Sequence, residues 1–219
     1  CECYYRRFSS IRKCSFETNH QLMYHIIMTK IIIDNNLHID QRTHQTQAKL
    51  ISALTAAYTA GQRFNTIPVK QLCSDAHVGR ATFYRHHQDL EDLITVEYLI
   101  ALRHLSDDLN SLPTATYATI AGATITSMQR YPQLPQLVNW ANCSQRVIPL
   151  EVGLVQQVLA SLNIQQRNSH FITTYLGHVL HQFADQLATQ QPRMSHLAAF
   201  QLFIQLIPNV LQGPTITRN

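Results

Sequence analysis

Pro68-Val69-Lys70-Gln71-Leu72-Cys73-Ser74-Asp75-Ala76-His77-Val78-Gly79-Arg80-Ala81-Thr82-Phe83-Tyr84-Arg85-His86-His87 divides into two short helical runs with a break at Ala76-His77-Val78. Val69, Leu72 and Cys73 fall on one stripe of a 3.6-residue period, the mark of a helix that buries one face. Cys73 is read as a packing residue on that face. Ala76 is small enough for a close crossing, Val78 plugs the turn, and Phe83 anchors the second run. Arg80, Thr82, Tyr84, Arg85 and His86 are left facing outward, a set rich in donors for phosphate oxygens and base edges. A helix that enters a DNA major groove carries such a mix at its N-terminal end. The stretch therefore predicts a helix-turn-helix.

Two helices of about two turns each cannot build a core alone. The helix beneath them is expected from Thr46, because Leu50, Ile51, Leu54, Ala57 and Tyr58 share one stripe and Gly61 supplies a C-terminal stop. On the other side Asp89 is expected to cap a long helix with Glu91 and Asp92 in its first turn, where acidic groups satisfy free amides and oppose the dipole. Leu90, Leu93, Ile94, Tyr98, Ala101, Leu102, Leu105 and Leu109 give that helix its apolar face. Beyond Pro113, helices are expected near 114–130, 133–141, 147–162, 168–190 and 194–211, with Pro132, Pro149, Pro192 and Pro208 at or close to their ends. No strand-like alternation is read, and six glycines and eight prolines in 219 residues leave little room for a turn-rich all-β chain. The expected fold is all-α: residues 41–90 as a three-helix helix-turn-helix domain, 91–219 as a larger helical bundle for ligand binding and dimerisation, and 1–40 as a poorly defined extension.

Charge is unevenly spread. Residues 1–89 hold 11 Lys and Arg against 6 Asp and Glu, while 90–219 hold 6 against 7. The basic half suits nucleic acid or an anionic surface. Residues 1–40 are read either as an upstream extension outside the fold or as a basic arm touching phosphates or a minor groove. The five cysteines form an odd set without a regular framework, and no signal-peptide pattern is read, so a reducing cytosol is the expected location. Leu22 to Ile33 is far short of the ~20 apolar residues a spanning helix needs.

These residues also resemble a known family. Gly61, Phe64, Val69, Leu72, Ala76, Val78, Arg80 and the run Thr82-Phe83-Tyr84-Arg85-His86, followed by Asp89 and Asp92-Leu93-Ile94, are similar to the N-terminal domain of the tetracycline-repressor (TetR) family over roughly residues 46–98. The resemblance implies an all-α homodimer that binds a double-stranded DNA operator, more often to repress than to activate, and a divergent C-terminal domain that often takes a small effector. It implies that Tyr84 contacts phosphate, that Arg80, Thr82, Arg85 and His86 belong to the recognition helix, and that Thr66 and Lys70 lie near the DNA backbone. The sequence departs from the pattern at four places. His77 replaces the turn glycine and must accept a positive φ, Gly79 replaces the usual capping serine, and His87 and Leu90 stand where the family commonly has phenylalanine and a phosphate-binding lysine.

In the C-terminal half, Phe171, Tyr175, Leu176, Val179, Leu180, Phe183 and Leu187, and then Leu197, Phe200, Phe203, Ile204, Ile207, Val210 and Leu211, are apolar over more than one face. Two such helices can cover the core and a second surface, and dimerisation through them is expected. A ligand pocket between helices is expected to draw on His104, Tyr117, Met128, Trp140 and Tyr175. His178 and His181 lie three apart, but no nearby Cys or carboxylate completes a metal set, so neither metal nor cofactor is expected. Glycine-rich phosphate loops, nucleophile elbows, HExxH and paired carboxylates are not found, and an enzyme is not expected. The alternative from another class is an interaction adaptor that keeps this fold with weak or no specific DNA binding.

Overall fold

Phe83 and Leu50 show how the first helices hold together: both side chains are completely buried, although they come from separate helices too short or too polar to persist alone. The computed structural model describes residues 41–162, 164 and 168–209, so the expectations for residues 1–40, Val210 and Leu211 lie outside the described residues. Among the described residues the fold is all-helical, as expected. The order is α1 (Gln41–Thr59), a short 3-10 turn (Phe64–Thr66), α2 (Val69–Asp75), α3 (Arg80–His86), α4 (Leu90–Asn110), α5 (Tyr117–Arg130), α6 (Leu134–Ala141), α7 (Ser144–Ser161), α8 (Ser169–Thr189) and α9 (His196–Leu206).

Three helices end in the same device. At Gly61, His77 and Asn142 the backbone turns left-handed, with φ of 72°, 53° and 53°. After α1 the amide of Gln62 reaches back to the carbonyl of Ala57 at 3.1 Å and that of Gly61 to Tyr58 at 2.9 Å. After α2 the amides of Val78 and His77 bond Cys73 and Ser74 in the same way, at 2.9 and 3.1 Å, and after α6 Cys143 and Asn142 bond Val138 and Asn139. Orphan carbonyls are thereby satisfied as the chain reverses. His77 thus takes the positive φ that its place in the turn demands.

Helix α4 starts as expected: the Asp89 carboxylate accepts the Asp92 amide at 2.7 Å. Pro149 lies close to the start of α7, as an internal residue of its second turn. The carbonyl it leaves without an intrahelical partner belongs to the exposed Gln145, where water can take the missing bond.

Two apolar clusters fill the bundle. One joins α1, α2, α3 and α4 to α6 and the start of α7 through Leu54, Leu72, Phe83, Leu93, Val138 and Val147, so it continues across residue 90. The other joins α5, α8 and α9 through Ile125, Leu176, Phe183, Ala199 and Phe203. Helices α7 and α8 approach closely because Gly177 has no side chain; a Cβ there would lie 2.5 Å from Val152 Cγ2 and 3.0 Å from its backbone.

Candidate functional site

Helix α3 exposes three of the five side chains singled out by sequence and buries its anchor. Phe83 packs edge-on against Tyr84, with centroids 5.3 Å apart, and tilts against His87. Arg80, Tyr84 and Arg85 are exposed, whereas Thr82 and His86 are half-buried. The Arg80 guanidinium lies 5.9 Å from the Tyr84 ring centroid, so cation and phenol share one patch. Lys70, on the first turn of α2, is exposed, and the exposed Thr66 donates its hydroxyl to the Arg63 carbonyl at 2.7 Å. Residues 41–89 carry six Lys and Arg against two acidic groups. One of these, Asp89, is held by both guanidinium nitrogens of Arg146 at 3.1 Å each. Cys73 is buried and its thiol is pushed up by desolvation, consistent with a packing side chain rather than a reactive one.

Of the other departures from the resemblance, Gly79 is the exposed N-cap of α3 and makes no side-chain cap, while His87 and Leu90 point inward. His87 is 3% exposed, 4.0 Å from Asp92 through Nδ1, and burial together with the neighbouring His86 lowers its pKa to about 4. Leu90 is buried too, so at that position the chain supplies core rather than a cation.

Trp140 belongs to this region rather than to a ligand pocket. Its ring meets Tyr58 and Phe64 edge-on at 5.4 and 5.2 Å, and its indole N–H donates to the Gln62 carbonyl at 3.0 Å. The end of α6 is thus seated on the loop after α1. Arg146 adds a second tie, reaching Glu91 at 2.7 Å as well as Asp89.

A cavity of about 70 Å³ lies where α4, α5, α6, α7 and α8 converge. Met128 is on its wall, as expected from sequence. His104 is one step behind, bonded to the wall residue Tyr131. Tyr117 instead donates its hydroxyl to the Ile207 carbonyl, and Tyr175 is exposed and stacked on Phe171. The polar centre of the cavity was not foreseen. Glu151, 5% exposed, accepts from the Tyr98 hydroxyl at 2.5 Å, and its second oxygen lies 3.2 Å from His181 Nδ1. Burial raises Glu151, against the pull of His181; burial alone would lower His181, but the carboxylate beside it wins and raises it. The sequence signal for this site was a carboxylate set among Val147, Leu150, Leu154 and Val155 on an amphipathic helix. His178, paired with His181 in the sequence reading, is exposed and bonds the Thr174 carbonyl of its own helix at 2.8 Å. Among the described residues, no group of three or more His, Cys, Asp or Glu is placed to hold a metal ion.

The apolar stripes of the last two helices divide between core and surface. Leu176, Phe183, Phe203 and Ile207 are buried, while Phe171, Tyr175, Leu197, Ile204 and Leu206 stay exposed. Among the described residues, no helix is long and apolar enough to cross a membrane.

No family model matches the chain, and no curated protein matches it. The fold is similar to that of a solved structure, the protein Lin0861 from Listeria innocua. The TM-score is 0.71 with 24% sequence identity, over 78% of this chain and 93% of that one. At that identity the likeness establishes the fold.

Proposed function

We propose that this chain is a cytoplasmic, DNA-binding transcriptional regulator of the tetracycline-repressor type, working as a homodimer and, by the habit of that family, as a repressor released by a small effector. One observation carries the reading: α3 is pinned by a fully buried Phe83 while Arg80, Tyr84 and Arg85 stand exposed together on a basic surface. A rigid short helix presenting two guanidiniums and a phenol is equipped to bond phosphates and guanine edges. The exposed apolar side chains of α8 and α9 support pairing of two copies, and a two-fold dimer would present two α3 helices about one DNA turn apart. The cavity between α4 and α8 is the proposed effector site.

Fluorescence titration with duplexes drawn from around the protein's own gene tests the reading. Sequence-specific binding that weakens steeply with salt is expected, with a slope near 0.9 per phosphate neutralised. Arg85→Ala should weaken specific binding by about 1–3 kcal/mol, and Tyr84→Phe should also weaken it, both without change in helicity or mass. Loss of folding in either variant would mean that packing has been mistaken for contact. A strictly monomeric mass by light scattering at micromolar concentration would overturn the dimer. The adaptor reading draws on Leu90, which is buried where the family carries a phosphate-binding lysine; the absence of any sequence-specific duplex binding would favour it.

A further inference from the structure

The cavity at the convergence of α4 to α8 has an unusual division of labour. Its walls are apolar, with Ala101, Leu102, Leu105, Met128, Leu154 and Leu180 among them, and Glu151 is the charged side chain set into them. Two of the hydroxyl protons at its polar end are already committed. Tyr98 gives its proton to Glu151, and Thr124, also on the wall, gives its proton to the Ile120 carbonyl at 2.8 Å. What these groups turn toward a guest is lone pairs. An ionised carboxylate has about four acceptor sites; Tyr98 occupies one on Oε1, while Oε2 lies 3.2 Å from His181 Nδ1 without a hydrogen bond between them. A guest that only accepts hydrogen bonds, such as a ketone or an acid anion, would leave the open lone pairs of Glu151 without a donor of its own to meet them.

Charge sharpens the choice. Glu151 and His181 are both buried 3.2 Å apart, and a lone negative charge in that setting is strongly disfavoured, which favours a net-neutral pair carrying one proton between the two groups. The charged and titratable groups around it are Tyr98 from α4 and His178 and Asp185 from α8 itself. A guest that brings its own positive charge can take the place of that proton, which leaves for the solvent.

We propose that this cavity binds a compact apolar amine in its ammonium form, with the hydrocarbon body against the leucines and Met128 and the charge against the Glu151 carboxylate. The proposal rests on the reading of the cavity as the effector site and adds the chemical class of the effector. At about 70 Å³ the space is roughly half that of a 150 Å³ apolar cavity that accepts benzene, which suits a body of about four carbons.

Calorimetric titration of the full chain with isobutylammonium, isobutanol and isovalerate at neutral pH separates the possibilities. Isobutylammonium should bind about tenfold or more tighter than isobutanol, and isovalerate should not bind. Repeating the amine titration in phosphate and in Tris, whose ionisation enthalpies differ, should show release of about one proton per ligand. Glu151→Gln should erase the preference for the amine over the alcohol, and Met128→Trp, which fills the space, should abolish both. Equal affinity for the three probes, preference for isovalerate, no binding of any probe, or no released proton would each overturn the proposal. The three-probe comparison on the unaltered chain stands even if a variant does not fold. DNA affinity measured with and without isobutylammonium keeps the two readings apart. Specific DNA binding with no amine binding would remove the ligand class alone, whereas amine binding with no DNA binding would remove the regulator and leave the ligand class standing.

Discussion

Helices α1 to α3 and helices α7 to α9 both bury an apolar core but differ in what else they bury and expose. In the first group the apolar side chains Leu50, Leu72 and Phe83 are inside and the cations Arg80 and Arg85 outside. In the second, a carboxylate and a histidine, Glu151 and His181, are inside, while Phe171, Tyr175, Leu197, Ile204 and Leu206 are outside. Burial of polar groups is costly unless they are paired, and contiguous exposed apolar patches, unlike single exposed side chains, mark contact surfaces. Under the proposed function, the first arrangement would suit a surface that meets a polyanion, and the second would suit an internal guest and an external apolar partner.

The largest effect expected from breaking this contrast is at Phe83, the inward anchor of the first group. Phe83→Ala should lower unfolding stability by about 3–5 kcal/mol in urea denaturation, and if it lowered DNA affinity while stability held, the anchor would have been misplaced. Next comes His87, a buried polar side chain at the end of α3. Its folded pKa of about 4 lies below the unfolded 6.5, so the unfolded chain takes up the proton first and stability falls as pH drops from about 6.5 toward 4. His87→Phe should remove that loss, and near pH 4.5 the variant should gain on the parent by on the order of 2–3 kcal/mol relative to neutral pH. Parallel pH profiles for the two proteins would contradict this. In the second group, Gly177→Ala should push α8 off Val152 and cost about 1–3 kcal/mol, read as a lower urea midpoint; an unchanged midpoint would mean that α7 and α8 are not held at contact. The smallest effect is a gain. His77→Gly relieves a left-handed residue and should raise stability by up to about 1 kcal/mol, and a loss would mean that the imidazole makes a contact worth more than the strain.

The two groups also differ in how much of them could be read from sequence. The helix-turn-helix was legible because its determinants are neighbours: a 3.6-residue stripe, a left-handed turn residue and an aromatic anchor all lie within twenty positions. The α4 cap at Asp89 was legible for the same reason. The triad of Tyr98, Glu151 and His181 was not, since its members are joined across separate helices, and a Glu in an amphipathic helix ordinarily marks its wet face. Apolar stripes in α8 and α9 predicted that both core and surface would be covered, but periodicity alone could not assign Leu176 to the one and Tyr175 to the other. Of the five residues expected to line a pocket, Met128 does so, because its helix faces inward there; Trp140 and Tyr117 were drawn off by backbone carbonyls that their polar tips could reach.

Trp140 has a practical consequence. It is the single tryptophan of the chain, and it sits with Tyr58 and Phe64 where α6 meets the loop that leads into α2. Its emission is therefore a native optical gauge of that joint, so any slippage of α6 against the first helices, whether driven by DNA, amine or acid, would register as a change in colour or quenching without a label being attached.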